Sequence, residues 1–261
     1  MSVNIEFVPG RGLTLDLEGH VATLSFHRPP LNFFDAELLG DMADALQYLD
    51  QLPQCRVVIL QAEGKVFCAG ADFSGPEQRD PQYPRRVYKS AVRLFRMRKP
   101  LICVVEGAAI GGGLGLSLVA DYRVTSSKAR FSANFSRLGI HPGFGISVTM
   151  PRLVGPQMAS LLIATGRRID GVEAVRIGLA DVLAEPGEER RAARELAEEI
   201  AASAPAAVMS SRETLRMGLA DAVDRIIDRE ASEQEWQIVS ADFAEGTLAM
   251  TERRVPVFTG Q

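Results

Sequence analysis

The sequence has almost no charge imbalance, few histidines and few cysteines. Its 29 basic and 33 acidic residues give a net charge of −4, which leaves no broad cationic face for the phosphate backbone of a nucleic acid. The three cysteines, Cys55, Cys68 and Cys103, have no paired spacing, so a disulfide framework is not expected. The three histidines have no metal-ligand spacing, and we expect no metal site.

Long apolar runs are also lacking. The longest one, around residues 101–120, is interrupted by Glu106 and several glycines, whereas a membrane-spanning helix needs about 20 consecutive apolar residues. Residues 1–6 have neither the basic end nor the apolar run of a secretion signal. We therefore expect a cytoplasmic protein without a membrane span, and its 261 residues, 46% of them hydrophobic, can bury a sizeable core.

Strand and helix patterns alternate along the first half of the chain. Residues 13–18 and 21–26 alternate apolar and polar types, which predicts a hairpin. Apolar residues then recur at helical spacing over 35–52, and a buried-type strand follows at 56–60.

A second unit repeats this order. Its elements are a helix near 83–97, a strand at 101–105, a glycine-rich turn, a short helix from Gly112 and a strand at 122–124. Repeated strand–helix units predict an α/β fold in which helices cover parallel strands.

The second half of the chain, from Pro142 to Ala249, is predicted to be mainly helical. Its amphipathic runs cover residues 188–202, 207–219 and 223–239. We predict a core of residues 1–199 followed by a helical region of residues 200–261. No Pro/Ser-rich linker is present, so one core with a helical appendage is preferred to two free domains.

Two glycine-containing turns, residues 67–73 and 106–115, each follow a predicted strand, at the sheet edge where α/β folds bind ligands. Small residues let the main chain approach a ligand, and a helix that begins near Gly112 directs unpaired N–H groups at it. Such turns suit an oxyanion. For either turn alone, a purely structural role of the glycines in tight turns and helix packing is as good an explanation as ligand binding. The two turns together are a more specific indication of a ligand site.

Other glycine motifs do not fit. Residues 113–118 lack the final glycine of a G-x-G-x-x-G dinucleotide fingerprint, and no G-x-x-x-x-G-K-[ST] phosphate loop occurs. Neither Ser117 nor Ser147 lies in a G-x-S-x-G nucleophile elbow. A Rossmann-type site is excluded, and P-loop and serine-hydrolase chemistry have no support.

The two turns and their order resemble the crotonase superfamily, also called the enoyl-CoA hydratase/isomerase family. Residues 67–73 match its F-x-A-G-A-D-[LIF] turn, and residues 107–121 match its G-x-x-x-G-G-G-x-x-L-x-x-x-x-D segment. The resemblance extends over nearly the whole chain, from His27-Arg28-Pro29 to residues 253–258.

This resemblance implies a crotonase-like spiral of ββα units with a C-terminal helical trimerisation region. It implies a homotrimer, or a hexamer built as a dimer of trimers. It also implies an acyl-CoA thioester as the bound partner, so that coenzyme A is part of the substrate and neither a separate cofactor nor a metal is expected.

By the same resemblance, the main-chain N–H groups of Ala71 and Gly112 form an oxyanion hole for an enolate-like thioester, in which one donor typically contributes about 2.7–4 kcal/mol. Arg253 falls where relatives place a basic residue on a CoA phosphate, although a solvated helix-end cation fits equally well. The other residues expected around CoA and the acyl group are Arg28, Pro30, Leu31, Cys68, Ala69, Gly70, Asp72, Phe73, Gly111, Phe135, Leu138 and Phe144. Core packing explains any one apolar member as well.

The usual catalytic carboxylates are replaced. Family hydratases carry one glutamate two residues after the triple glycine and another in the next turn, and these positions are Gly115 and Phe135 here. Related isomerases and dehalogenases place an acid where this chain has Gly143. Simple water addition needs a positioned acid and base, so it is the activity least expected.

His141 is the best remaining candidate for proton transfer, because imidazole titrates near neutral pH and the matching segment borders the acyl pocket. A turn cap or a buried hydrogen bond explains this histidine at least as well. Asp72 is a second candidate, with helix N-capping as its alternative role. Glu106 replaces a residue that is commonly neutral in relatives, and the sequence does not decide what it does.

Two hypotheses stay open. In the first, the chain is an acyl-CoA-processing enzyme, a lyase or isomerase, that stabilises a thioester enolate with atypical catalytic residues. In the second, it is a noncatalytic acyl-CoA-binding protein that kept the pocket and lost the acid and base. The intact glycine turns favour the first, whereas Gly115, Phe135 and Gly143 motivate the second.

Overall fold

The larger sheet of the protein is mostly parallel. The computed structural model describes residues 7–71 and 80–260. The strands of this sheet are β1 (Leu13–Glu18), β2 (Val21–Phe26), β3 (Val57–Ala62), β4 (Leu101–Val105), β6 (Tyr122–Ser126) and β9 (Val182–Ala184). They are ordered β1-β2-β3-β4-β6-β9. β1 and β2 form the predicted antiparallel hairpin, and the other neighbours pair in parallel.

Helices cover this sheet and continue to the end of the chain. They are α1 (Ala36–Gln51), α2 (Tyr83–Leu94), α3 (Gly112–Ser117), α4 (Ile146–Thr165), α5 (Gly171–Arg176), α6 (Glu189–Ala201), α7 (Pro205–Leu215), α8 (Leu219–Gln237) and α9 (Ala241–Glu252). α4 is interrupted at Gly155, whose backbone leaves the helical region. The predicted α/β class with parallel strands and C-terminal helices is confirmed. No helix within the described ranges has the length and apolar character to cross a membrane.

Both faces of the sheet are buried, as strands in a parallel sheet require. In β3, Val58 and Leu60 pack into the main core with α1 and α2. Val57 and Ile59 point to the opposite face and pack against the alanines of α6. The predicted division between residues 199 and 200 falls inside α6 and stays a prediction.

A smaller sheet was not predicted from the sequence. It consists of β5 (Ala108–Ile110), β7 (Arg130–Ser132) and β8 (Ile169–Asp170), with β5 and β7 parallel and β8 antiparallel to β7. These strands, like β9, are too short to show a period-two pattern. The expectation of a mainly helical second half therefore missed β8 and β9.

Arg123 on β6 anchors the segment that leads to β9. Its side chain is fully buried. It donates to the carbonyl oxygens of Leu179 at 2.7 Å, Ala120 at 2.9 Å and Asp121 at 3.1 Å, and to the carboxylate of Asp181 at 2.9 Å. A buried guanidinium is tolerated here because its donors are paired.

We expect Arg123→Ala to lower the free energy of unfolding by about 3–5 kcal/mol, because it leaves buried carbonyl groups and a carboxylate without their donor. Urea denaturation followed by circular dichroism measures this loss. Arg191→Ala is the matched control, since Arg191 is 63% exposed and pairs only with neighbours one turn away. Its loss should stay below about 1 kcal/mol, and equal losses for the two variants would contradict the assignment.

Candidate functional site

A cavity of about 970 Å³ opens at the carboxyl ends of β5 and β7 and is bounded on one side by α9. Its size is that of a site for a small organic ligand. Ten of the residues expected from the sequence line it: Arg28, Pro30, Leu31, Ala69, Gly70, Ala71, Gly111, Gly112, Phe135 and Leu138.

The two glycine turns meet at this cavity because the first one pairs with β5. The N–H of Cys68 donates to the Ala108 carbonyl at 2.9 Å, and the N–H of Ile110 donates to the Cys68 carbonyl at 3.0 Å. Gly70 has a φ of 97°. A Cβ built on it would lie 3.1 Å from the Ile110 oxygen and 3.3 Å from the Gly112 nitrogen. Only glycine fits such a close approach without strain.

Ala71 and Gly112 present main-chain N–H groups at the point where the turns meet. Gly112 is the first residue of α3, so its N–H has no acceptor within the helix. No oxygen in the described ranges accepts a hydrogen bond from the N–H of Ala71. Two such donors can stabilise negative charge on one oxygen atom.

Comparison with known proteins agrees with this geometry. A family profile described as Enoyl-CoA hydratase/isomerase matches residues 16–261. The chain belongs to the enoyl-CoA hydratase/isomerase family. It is 34% identical over 246 residues to short-chain-enoyl-CoA hydratase of Clostridium acetobutylicum, a match that covers 92% of this chain and 94% of that protein.

Two further relatives match over similar lengths. Crotonyl-CoA hydratase of Syntrophomonas wolfei is 32% identical over 248 residues, which cover 93% of this chain and 95% of that protein. The crystal structure of an enoyl-CoA hydratase/isomerase from Pseudoalteromonas atlantica superposes with a TM-score of 0.82 at 31% identity, and the match covers 95% of this chain and 100% of that chain. The family resemblance found in the sequence is thereby confirmed.

Aromatic rings occupy the space at the positions where family members carry acids. A Cβ built on Gly115 would lie 2.6 Å from the Cβ of Phe144, and one built on Gly143 would lie 2.1 Å from the hydroxyl oxygen of Tyr88. Phe135 fills the third position and lines the cavity. The packing around Gly115 and Gly143 therefore leaves no space for a carboxylate side chain at either position.

Phe144 does not line the cavity, contrary to the sequence expectation. Its φ is 64°, and its side chain is fully buried. The ring packs 5.2 Å from that of Phe34 and 6.3 Å from that of Tyr88. The missing side chain at Gly115 is what makes room for it.

His141 also lies outside the cavity wall, because α8 holds its backbone. Its N–H donates to Gln237 Oε1 at 2.5 Å, and its carbonyl accepts from Gln234 Nε2 at 2.6 Å. The ring Nδ1 is 2.7 Å from the Pro142 carbonyl oxygen. This placement supports the turn-holding alternative and gives no support to an acid–base role.

Four other sequence candidates are not in the described wall of the cavity. Arg253 is exposed at the left-handed C-cap of α9. Cys68 is fully buried beside β5, and burial raises the pKa of its thiol to about 12, so it is not a thiolate nucleophile. Asp72 and Phe73 lie outside the described residues.

The cavity wall contains few titratable side chains. Both carboxylate oxygens of Asp35 have partners. One accepts a hydrogen bond from the Leu38 N–H, so Asp35 is the N-cap of α1, and the other forms an ion pair with Arg28. Arg168 also lines the cavity and was missed in the sequence because it lies beside the very short β8. It is exposed, and no acidic side chain in the described ranges pairs with it. Tyr83 contributes a phenol.

Glu106 has a structural partner. Arg190 of α6 donates to Glu106 and to Glu63, each at 2.9 Å, and so ties α6 to the ends of β3 and β4. Within the described ranges, no group of three or more His, Cys, Asp or Glu side chains is placed to hold a metal ion.

Behind the cavity, Glu230 of α8 is buried beneath the start of α4. Its carboxylate accepts from the N–H of Gly145 at 2.8 Å and from that of Ser147 at 3.1 Å. Burial raises the pKa of Glu230 to about 7, although the two N–H donors oppose the rise.

We expect Gly115→Ala to lower the free energy of unfolding by about 1–3 kcal/mol, because the added methyl group overlaps the Phe144 side chain. Gly40→Ala is the matched control: Gly40 lies in α1, and a Cβ there meets nothing within 4 Å. Replacing that helical glycine should stabilise the fold by roughly 0.5–1 kcal/mol. Chemical denaturation of both variants measures the difference, and a Gly115→Ala variant as stable as the wild type would show that the ring does not fill this space.

Stability should fall as the pH rises through about 7, because Glu230 keeps its proton in the folded state and has lost it in the unfolded state. The contribution is complete below pH 4.5, the ordinary value, and is lost above the folded pKa. A shift of this size corresponds to about 3 kcal/mol. Glu230→Gln should flatten the difference between urea denaturation at about pH 5 and about pH 8, whereas Glu195→Gln on exposed α6 should retain it. Identical pH profiles for wild type and Glu230→Gln would refute this origin.

Proposed function

We propose that this chain binds acyl-CoA thioesters in the cavity and stabilises their enolate form with the N–H groups of Ala71 and Gly112. The observation that carries the proposal is the meeting of the two glycine turns, because the Gly112 nitrogen lies 3.3 Å from the Cβ position of Gly70, the residue before Ala71. Negative charge that develops on the thioester oxygen would be stabilised there without reorganisation of the site.

The rest of the wall suits the remaining parts of such a ligand. Arg28, Pro30 and Leu31 would contact coenzyme A together with the turn at Ala69 and Gly70. Arg168, which has no acidic partner among residues 7–71 and 80–260, would add a positive charge for its phosphate groups. The acyl group would be surrounded by the apolar side chains of Phe135, Leu138 and Ile140. Relatives named short-chain-enoyl-CoA hydratase and crotonyl-CoA hydratase support a CoA thioester as the ligand. Coenzyme A would then be part of the substrate rather than a cofactor.

The reaction would be an atypical one for the family. Neither Gly115 nor Phe135 can exchange a proton, and Asp35 is bound to Arg28 and the α1 N-terminus. Water addition by a pair of glutamates is therefore not proposed. Asp72 stays a sequence prediction for proton transfer.

The noncatalytic alternative is favoured by one specific observation. An aromatic side chain occupies each of the three positions at which relatives place an acid. Phe144 packs against Gly115, and Tyr88 packs against Gly143. At the third position the residue itself is aromatic, Phe135. These aromatic groups supply no base at the three positions, and Phe135 adds an apolar surface to the cavity for an acyl group. A protein of this kind would carry or present an acyl-CoA without converting it.

We also propose a homotrimer or a dimer of trimers in the cytoplasm. α7 contains no buried residue, and Leu215 and Met217 are 77% and 75% exposed. Apolar side chains left on a surface helix mark a site of association. The three cysteines are unpaired, which fits a reducing compartment.

Acyl-CoA thioesters incubated with the protein in D₂O should gain deuterium at the α-carbon, because an enolate exchanges that proton; mass spectrometry detects the gain. His141→Ala should exchange at the wild-type rate, since His141 lies outside the cavity wall.

Calorimetry should show that a thioester binds about tenfold more tightly than the CoA thioether of equal chain length, which lacks the carbonyl group.

These measurements separate the two functions. Exchange together with the preference for thioester supports the enzyme. Thioester-selective binding without exchange supports the carrier. If no acyl-CoA binds, both are refuted.

A further inference from the structure

Asn32 is buried in the loop between β2 and α1, and its neighbours in that loop line the cavity. Residues 28–31 and 33–35 belong to the cavity wall, whereas Asn32 does not. Its φ is 52°, in the left-handed region that asparagine tolerates better than most other residues. A buried polar side chain that does not face the ligand needs its hydrogen-bond partners inside the protein.

Both ends of the Asn32 carboxamide have such partners. Its Oδ1 accepts from the Arg28 N–H at 2.8 Å. Its Nδ2 donates to the carbonyl oxygens of Glu63 at 2.8 Å and Val66 at 2.7 Å. An amide can form all three bonds because its nitrogen carries two hydrogens and its oxygen accepts. The side chain therefore closes its own loop and ties that loop to the segment after β3.

This segment leads directly into the first glycine turn, which is held from two sides. β5 bonds the turn at Cys68, and the loop bonds it at Ala69, whose N–H donates to the Leu31 carbonyl at 3.1 Å. The Asn32 amide fixes residues 63–66 against the same loop. The position of the turn relative to the loop thus depends on one buried side chain.

Phe34, two residues after Asn32, contacts both residues that carry the candidate donors. Its N–H donates to the Gly70 carbonyl at 3.0 Å, and it pairs with Ala71 in an isolated parallel bridge. Its ring lies against Gly112, where an added Cβ would be 2.5 Å from Phe34 Cζ. A displacement of the loop would therefore move Phe34 against both turns.

We propose that Asn32 is a positioning residue that sets, through Phe34, the spacing of the N–H groups of Ala71 and Gly112. Two donors act on one oxygen only when both lie at hydrogen-bond distance from it, so a small change in their spacing weakens the interaction. This inference rests on the proposed stabilisation of a thioester oxygen by these two groups.

Calorimetry with butyryl-CoA and S-butyl-CoA, the thioether of the same chain length, tests the proposal. The wild type should bind the thioester about tenfold more tightly. Asn32→Gly removes the amide, while glycine accepts a φ of 52° without strain. This variant should reduce the ratio to below about twofold, because the two donors no longer fit one oxygen. Any loss of contacts to coenzyme A lowers both affinities and cancels in the ratio.

Asn32→Asp separates the two halves of the amide. It keeps an acceptor for the Arg28 N–H but places a second oxygen against the carbonyls of Glu63 and Val66. The ratio should fall in this variant too, because the tie to residues 63–66 is lost. In both variants the backbone amides of residues 66–71 should exchange hydrogen for deuterium faster than in the wild type, as mass spectrometry measures.

Lys99→Met is the matched control. Lys99 is also buried, and its Nζ also donates to two backbone carbonyls, those of Leu49 and Leu52. These carbonyls lie at the C-terminal end of α1, whereas Asp35 at the opposite end of this helix lines the cavity. The control should lose stability but retain the tenfold ratio and the wild-type exchange of residues 66–71. Thermal unfolding confirms that all three variants are folded.

An undiminished ratio in Asn32→Gly or Asn32→Asp, or wild-type amide exchange in both, would overturn the role of Asn32 and leave the acyl-CoA site standing. An equal fall of the ratio in Lys99→Met would overturn it as well, since general loosening of the fold would then explain the effect. If the wild type binds neither ligand, or binds both equally, the proposed function fails and this inference fails with it.

Discussion

The pairing of the first glycine turn with β5 is the contact on which the site depends. Two hydrogen bonds, from Cys68 to Ala108 and from Ile110 to Cys68, bring together segments about 40 residues apart in the sequence. Gly113 must be a glycine for the same reason, since a Cβ there would lie 2.0 Å from the Cys68 carbonyl oxygen. Sheet hydrogen bonds and the lack of side chains thus fix the two candidate donors, Ala71 and Gly112, without involving any catalytic side chain.

The candidate donors are backbone groups, whereas the carboxylates expected in relatives are side chains. A chain can therefore form the cavity between the two turns and still lack those carboxylates. The positions of the backbone N–H groups depend on the packing of the turns. Acids would have to be side chains, and in this chain Phe144 and Tyr88 fill the space around Gly115 and Gly143. Restoring a carboxylate would require the aromatic packing to change with it, because interiors are close-packed.

The buried polar groups behind the cavity connect it to the C-terminal helices. Tyr88 donates to Gln234, Gln234 donates to the His141 carbonyl, and Glu230 accepts from two N–H groups at the start of α4. A short 3₁₀ helix covers Asn134–Leu138, and these contacts hold the segment after it against α8. The position of this part of the cavity wall is therefore set in part by residues nearly 100 positions further along the chain.

Local sequence patterns and motifs at fixed spacing were enough to predict the hairpin, α1, β3 and β4, the glycine turns, the family and the absence of the carboxylates. It missed β5, β7, β8 and β9, since two or three residues carry no periodicity and pair only when distant segments supply a partner. The positions of several side chains became known only from the folded structure. His141 turned from the cavity because Gln234 and Gln237 bind its backbone, and Phe144 entered the core because Gly115 left room for it. Asn134 reached the cavity because β5 and β7 end at the same edge. Where a side chain points is set by such long-range contacts, which spacing along the chain does not encode.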